Sequence, residues 1–504
     1  MAQKAIAEKI TALVHKKYIQ ILALCMLGMV FYLFSGREWV YLIDDSYTYM
    51  DPKPGFEGVM PIYPLFLFAV RFIFGENLYL SAVVVIQSVI AVLCTLLFTL
   101  YLQRIFRLNY VEVILFYAFT MMPFAIELPE VCVSHMILTE GLAYSFFYIY
   151  FIFVLQYIFY KKTRWLFLTA AMAFLMGLIR SQLIFLLIFT ALVFVCVEFF
   201  RKEYSRKIMR WVKAGGNLII GMIVSCILVV CIYQFCAGYT NYLVPAVNRW
   251  DNWQDAAQNE GGQEEIAKTE NAEKSAESDK IEYKETMSQL TTLIIIRGFY
   301  EADEEDAALF DTAQMQEIFR RVYAAVDEQQ YRYEYARPGL YMWRDLIKDR
   351  IAGVAHGAIT TYLNDNPDVK IDRKAVLGEL GMKVLLRHFD RYLYHSIRLA
   401  IPGFISSIFF QIEKIYWLCH LITLFLFGIE IFGILYCLKN NRERKTVLFA
   451  SATVGFIFLM VIIIDLVFMG TQRYLVYAMG IFYCSLYLLL KEWGLPWIKK
   501  KLKF

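Results

Sequence analysis

Ten apolar runs punctuate the chain, at 18–34, 79–101, 111–126, 135–159, 165–178, 182–199, 217–236, 415–437, 446–468 and 474–490. A helix needs about 20 such residues to cross the hydrocarbon layer of a bilayer. In lipid only helices and closed barrels satisfy their own backbone groups. The runs therefore predict about ten membrane helices. The third and fifth are short, which suits tilted, broken or shielded segments. The first run follows Lys16 and Lys17 and ends in aromatics without an A-x-A site, so it reads as an uncleaved anchor.

Composition agrees. Hydrophobic residues make up 59% of the 504 and charged residues 19%, against roughly 45–50% apolar in soluble proteins. So few charges cannot coat a soluble protein of this size. Collagen, a disordered chain, a disulfide mini-protein and a nucleic-acid-binding domain are excluded. The ten cysteines lie mostly inside apolar runs with no C-x-x-C, where thiols pack as small apolar groups. Only Cys132 and Cys236 lie near loops on one side, and nothing indicates a disulfide.

Basic residues orient the spans. With the N-terminus inside, the inner segments carry 24 Lys and Arg, and the short outer loops carry Arg37, Lys53, Arg71, Arg180 and Arg473. The expected protein is therefore an all-α polytopic cell-membrane protein with both termini cytoplasmic and its chemistry outside. Residues 1–236 form an N-terminal transmembrane module with an outer loop at 35–78. Residues 237–285 form a mobile acidic outer loop; 251–285 holds 11 acidic and 4 basic residues. Residues 286–414 form a small helical extracytoplasmic domain, amphipathic near 305–330 and 340–363, and 415–504 form a C-terminal transmembrane module. Two stretches read as interfacial helices. One is 61–75. The other is 383–400, where Arg387, Arg391, His395 and Arg398 share a face suited to lipid phosphates opposite Leu385, Leu386, Phe389, Leu393 and Ile397. No internal repeat is visible, which counts against an inverted-repeat transporter.

The sharpest local signal is Asp44-Asp45-Ser46-Tyr47-Thr48-Tyr49, just past the first run. A carboxylate there either takes a proton from an acceptor hydroxyl or caps a short helix. Glu140 sits in the first turns of the fourth run, where a carboxylate is either functional or favoured by the helix dipole. Glu127, Glu130 and His135 nearby read as solvated loop residues. Arg180 and Arg473 are the sole basic residues of their outer turns. A guanidinium at that level either binds phosphate oxygens bidentately or snorkels. Asp465 is a candidate ion partner for Arg473, and Glu430 has no assigned role. No P-loop, H-E-x-x-H, G-x-S-x-G or G-x-G-x-x-G occurs. Any group donor must then reach the outer face by itself, as a lipid-linked donor does.

These pieces, in order, resemble the GT-C superfamily of polyprenyl-phosphate-sugar glycosyltransferases, including its protein O-mannosyltransferase and aminoarabinose-transferase-like branch. They are Asp44-Asp45-Ser46-x-x-Tyr49, Pro61-Ile62-Tyr63-Pro64, and Phe74-Gly75-Glu76-Asn77 before a span with Gln87. Leu138-Thr139-Glu140, Gly177-Leu178-Ile179-Arg180 and Arg473-Tyr474 follow. The resemblance spans roughly 1–236 and 440–490. It implies inverting transfer of a sugar from a polyprenyl phosphate to a hydroxyl of a saccharide, lipid or protein acceptor. Asp44 or Asp45 would be the base and Glu140 would position the acceptor or a metal. Arg180, Arg473, Arg391 and Arg398 would stabilise the leaving phosphate. A divalent cation stays open, since relatives differ. The Asp-Asp pair departs from the Asp-Glu typical of protein mannosyltransferases, which leaves open which carboxylate is the base. Competing functions are a flippase or transporter of lipid-linked saccharide, an outer-face polysaccharide polymerase or ligase that would rely on His388, Arg391 and Arg398, and a non-catalytic scaffold.

Overall fold

A computed structural model describes residues 2–51, 60–128, 130–200, 207–244, 289–335, 348–409, 415–467 and 472–494. Most of the expected acidic loop lies outside the described residues. The chain is an all-helical, multi-pass membrane protein. Among the described residues the only strand-like pairings are isolated bridges, Gly36 with Val131 and Tyr41 with Met136.

Helix α1 (Ala2–Phe34) leads to a short α2 (Asp44–Met50), then α3 (Ile62–Phe74), α4 (Tyr79–Phe106), α5 (Tyr110–Met121), α6 (Thr139–Tyr160), α7 (Thr163–Ile179), α8 (Phe185–Phe199) and α9 (Lys207–Gly238). A second group holds α10 (Gln289–Glu301), α11 (Ala313–Glu328), α12 (Lys348–Asp365), α13 (Arg373–Arg387) and α14 (Phe389–Ile408). The chain returns to the bundle with α15 (Tyr416–Lys439), α16 (Arg444–Val467), α17 (Gln472–Leu475) and α18 (Met479–Leu489).

Among the described residues, seven stretches are long and apolar enough to cross a membrane: Tyr79–Phe106, Thr139–Tyr160, Ser181–Phe199, Gly215–Asn241, Trp417–Lys439, Arg444–Ile464 and Arg473–Gly494. The other three of the ten expected spans appear as shorter apolar helices, Tyr18–Phe34, Tyr110–Ala125 and Thr163–Ile179. Lipid tails are as apolar as leucine, so close packing rather than water exclusion holds such helices together. An aromatic core does this here. Phe147 of α6 packs on Phe456 of α16 and on Tyr477, with ring centroids 4.8 and 5.6 Å apart. Helix α9 approaches α8 through a small-residue contact, where a Cβ on Gly221 would lie 3.1 Å from the Ala191 methyl. Ser225 adds a hydrogen bond to the Leu187 carbonyl at 3.2 Å.

The helices of 289–387 have a core of their own, built from Ile295, Phe299, Phe319, Val322, Ile351, Leu377 and Leu380. Its tightest joint is the crossing of α10 and α13. A Cβ on Gly298 would overlap the Gly381 carbonyl, so only glycine lets the two backbones meet. Three of the four residues of the basic face expected at 383–400 turn onto the acidic end of α10 and the turn that follows it. Arg387 pairs with Asp306, Arg391 with Asp303 and His395 with Glu301. Leu386, Phe389, Leu393 and Ile397 of that stretch are exposed, and so is Arg398. The other interfacial candidate, α3, packs Tyr63, Pro64, Leu67 and Val70 inward and exposes Phe72 and Ile73.

Candidate functional site

Three breaks in helical structure bring charged side chains from distant parts of the chain to one end of the bundle. Helix α6 starts at Thr139, which places Glu140 in its first turn, where the N-terminal dipole favours an anion. Helix α7 stops at Ile179. Arg180 is extended (φ −153°, ψ 125°) before a 3₁₀ turn at Ser181–Ile184. The last span is also interrupted: α17 gives way to a 3₁₀ turn at Val476–Ala478 before α18 begins, and Arg473 lies in α17. Broken spans of this kind persist where protein shields the freed backbone.

The fourth segment is α2. The serine of the Asp-Asp-Ser motif is fully buried and accepts a hydrogen bond from the Ile43 amide at 3.0 Å. Its role is to start the helix, which leaves the carboxylate of Asp45 half in solvent, at 54% exposure. Tyr49, one turn on, lays its ring 5.3 Å from Tyr63. Burial pushes its phenol up to about 12, against the pull of Arg180.

The two carboxylates and two guanidinium groups form a chain of contacts. Glu140 is 1% exposed. Its Oε2 accepts from the Thr139 hydroxyl at 3.1 Å and pairs with Arg180 Nη1. Arg180 also donates to Thr139 Oγ1 at 2.8 Å and from Nε to Gln182 Oε1 at 2.7 Å. Its guanidinium carbon stands 4.5 Å from the centre of the Tyr474 ring, a further attraction for a desolvated cation. Arg473 lies between the carboxylates, with Nη1 3.7 Å from Glu140 Oε1 and Nη2 3.9 Å from Asp45 Oδ2. Its backbone carbonyl is tied to Tyr144 Oη at 2.6 Å. Arg180 thus engages Glu140, Thr139 and Gln182 through Nη1 and Nε, whereas Arg473 keeps hydrogen-bonding capacity and 22% exposure.

A buried amide sets the position of this cluster. Gln87 of α4 accepts from Tyr63 Oη at 3.0 Å and donates to the carbonyls of Ser134 and Met136 at 3.0 and 3.1 Å. A Cβ on Gly141 would lie 2.8 Å from Gln87 Oε1. The glycine thus lets α6 sit against the amide with Glu140 beside it. His135, expected in solvent, is buried between the carbonyls of Tyr32 and Glu38, at 2.7 and 3.0 Å. It serves the loop that carries Thr139. Glu127 and Glu130 are exposed as expected.

The structure thus brings Asp45, Glu140, Arg180 and Arg473 together. The side chains of Asp44 and Asp465 lie outside the described residues. Arg391 is engaged elsewhere, donating to Asp303 and to the Glu301 carbonyl at 3.1 Å. Arg398 is exposed and rests over Tyr394. Glu430 is buried in the bundle and accepts from Ser485 Oγ at 2.6 Å. Residue reading missed Thr139, Tyr144 and Tyr477 as parts of the site. Helical spacing held the signal, since Tyr144 and Tyr477 follow Glu140 and Arg473 by one turn. Among the described residues no three His, Cys, Asp or Glu side chains gather as metal ligands do. All ten cysteines are free thiols. A comparison with known protein families, with curated proteins and with solved structures finds no match to this chain.

Proposed function

We propose that the protein is a membrane glycosyltransferase, moving a sugar from a polyprenyl-phosphate donor to an acceptor hydroxyl at the extracytoplasmic face. The observation that carries this reading is the half-exposed Asp45 carboxylate 3.9 Å from a guanidinium with unspent donors, at the mouth of a buried Glu140–Arg180 pair. A base beside an anion-binding cation is the minimum such a transfer needs. Asp45 takes the acceptor's proton. The acceptor oxygen bonds to the anomeric carbon from the face opposite the leaving group, and the bond from that carbon to the phosphate oxygen breaks. Arg473 holds the departing phosphate, whose charge grows as the bond breaks. Arg180 fixes Glu140 through Nη1 and adds positive charge beside the departing phosphate. Asp44, as neighbour of the base, keeps its place as the alternative proton acceptor.

The test is reconstitution in liposomes with polyprenyl-phosphate hexoses and pentoses, following the release of polyprenyl phosphate. Asp45→Asn is expected to slow release by about 10²- to 10⁴-fold with normal membrane expression. An unchanged rate removes Asp45 from the chemistry. The second reading, transport of a lipid-linked saccharide, is favoured by one observation. Glu430 is buried among spans with its Oε2 lacking a hydrogen-bond partner, as intramembrane carboxylates of transporters often are. Movement of the lipid-linked sugar across liposomes without release of polyprenyl phosphate would decide for it.

A further inference from the structure

Two polar atoms of the cluster face each other without partners. Glu140 Oε1 and Arg473 Nη1 are both closed off from solvent, and neither makes a hydrogen bond. They stand 3.7 Å apart, beyond hydrogen-bond length. The hydroxyl of Tyr477, whose phenol senses Arg180 and Glu140, is buried and unpartnered as well. Leaving buried polar groups unsatisfied is costly, and more so for charged ones. Elsewhere in the cluster the hydrogen bonds are made: Glu140 Oε2 and Arg180 have theirs. The unspent capacity is confined to one spot. Among the described residues the Arg473 side chain has no hydrogen bond to hold it in place, and its exposed edge is the way in.

The two charges together define what fits. A phosphate oxygen satisfies Arg473 but is repelled by Glu140, which is a carboxylate between two guanidinium groups. A metal ion suits Glu140 but is repelled by Arg473. A neutral hydroxyl suits both, accepting from Nη1 and donating to Oε1. We propose that Glu140 and Arg473 form a subsite that reads one neutral hydroxyl of the saccharide this protein handles, which makes Glu140 a specificity-determining residue. This rests on the glycosyltransferase reading for its choice of saccharide. It assigns Arg473 two edges, Nη1 toward the sugar and Nη2 toward the phosphate. The hydroxyl belongs either to the transferred sugar or to a saccharide acceptor.

The experiment uses the full chain reconstituted in lipid. Each polyprenyl-phosphate sugar that reacts is compared with its single-deoxy counterparts. In a second arm the intact donor is paired with methyl glycosides and their single-deoxy forms. One deoxy position, in one arm, is expected to lower kcat/KM by about 10- to 100-fold, the range for a hydrogen bond to a charged group. The arm in which it appears identifies the source. Glu140→Gln keeps the shape and loses the charge, and is expected to shrink that ratio to below about tenfold. If that variant does not accumulate, Arg473→Lys serves the same purpose, because it moves the donor. Transfer that tolerates every deoxy position equally overturns the subsite. No transfer from any donor overturns the enzyme reading instead, and equilibrium binding of the same lipid-linked sugars then decides the subsite. A loss of about tenfold or more at one deoxy position upholds it. Equal binding of all, or binding of none, overturns it.

Discussion

The bundle and the helical unit at 289–408 both bury acidic residues among arginines, and they do so in opposite ways. In the helical unit the three carboxylates that face the start of α14 are each held by more than one contact. Asp303 takes Arg391 through three hydrogen bonds at 3.1 Å and has Arg332 at 3.5 Å. Asp306 takes His388 at 2.9 Å, has Arg387 at 3.3 Å, and caps the amide of Asp303 at 2.8 Å. Glu301 meets His395 through both oxygens, at 2.8 and 2.7 Å. In the bundle, Glu140 and Arg473 keep atoms with no partner. Carboxylates whose oxygens are all engaged fix a shape, whereas a charged pair with unspent hydrogen-bonding capacity is where a ligand can gain free energy. Arg387, His388, Arg391 and His395 therefore read as the joint between the end of α10 and α14, and the open pair reads as the candidate site.

The largest effect expected from this contrast is at Glu140. Glu140→Ala strands Arg180 in a buried position with no carboxylate, leaving it Thr139, Gln182 and the Tyr474 ring. Losing one member of a buried pair typically costs about 3–5 kcal/mol. The variant should melt far below the parent in detergent, or fail to accumulate. Arg473→Ala should lower the melting temperature by less than Glu140→Ala does while abolishing the proposed sugar transfer, because among the described residues its side chain makes no hydrogen bond and stands farther from Glu140 and Asp45, at 3.7 and 3.9 Å. Equal melting temperatures for Glu140→Ala and the parent would refute the view that the Glu140–Arg180 pair is structurally essential.

Much of this was legible in the residues. The spans follow from length and apolarity alone, and Asp45, Glu140, Arg180 and Arg473 stand out as charges at the ends of apolar runs. What sequence could not give was direction. Arg387, Arg391, His395 and Arg398 lie on one helical face by spacing. Whether that face meets lipid phosphates or the acidic end of α10 depends on a crossing allowed by Gly298 and Gly381, distant in the chain. His135 was misjudged for the same reason, since the two carbonyls that bury it belong to the end of α1 and the loop after it. The break in the last span, which aims Arg473, falls within an apolar run with no proline to announce it.

A middle-sized effect is expected from pH. Burial pushes Glu301 up to about 8. Burial, then Arg398, Arg391 and Arg297, hold His395 down to about 4. The raised carboxyl binds its proton more tightly in the native state, so its contribution to stability is lost as pH rises from the ordinary range through 8. The lowered imidazole binds its proton less tightly, so its contribution is lost as pH falls through 6.5 toward 4. The two slopes oppose each other in the mildly acidic range where both apply. Above about pH 6.5 only the Glu301 slope remains. Hydrogen exchange at α10 and α14, corrected for intrinsic rates, should show an opening free energy lower by on the order of 2 kcal/mol at pH 8 than at pH 6.5. Glu301→Gln should flatten that limb. An alkaline limb that survives the substitution would assign the titration to another group.

The smallest effect tests redundancy in the saturated network. Arg391 is only partly buried, at 29% side-chain exposure, and its loss leaves Asp303 with Arg332 and with water. Its guanidinium also lies 4.7 Å from the centre of the Tyr333 ring, a contact of modest strength at a part-exposed position. Arg391→Ala should therefore cost about 1 kcal/mol or less, and 0.5 M salt should reduce even that difference by screening the pair in both states. Sugar transfer should continue, because the residue lies among structural partners and not beside Asp45. Loss of transfer in a folded Arg391→Ala protein would reverse the contrast. It would make the helical unit's cations part of the phosphate site and favour a polymerase or ligase that works through its late extramembrane segment.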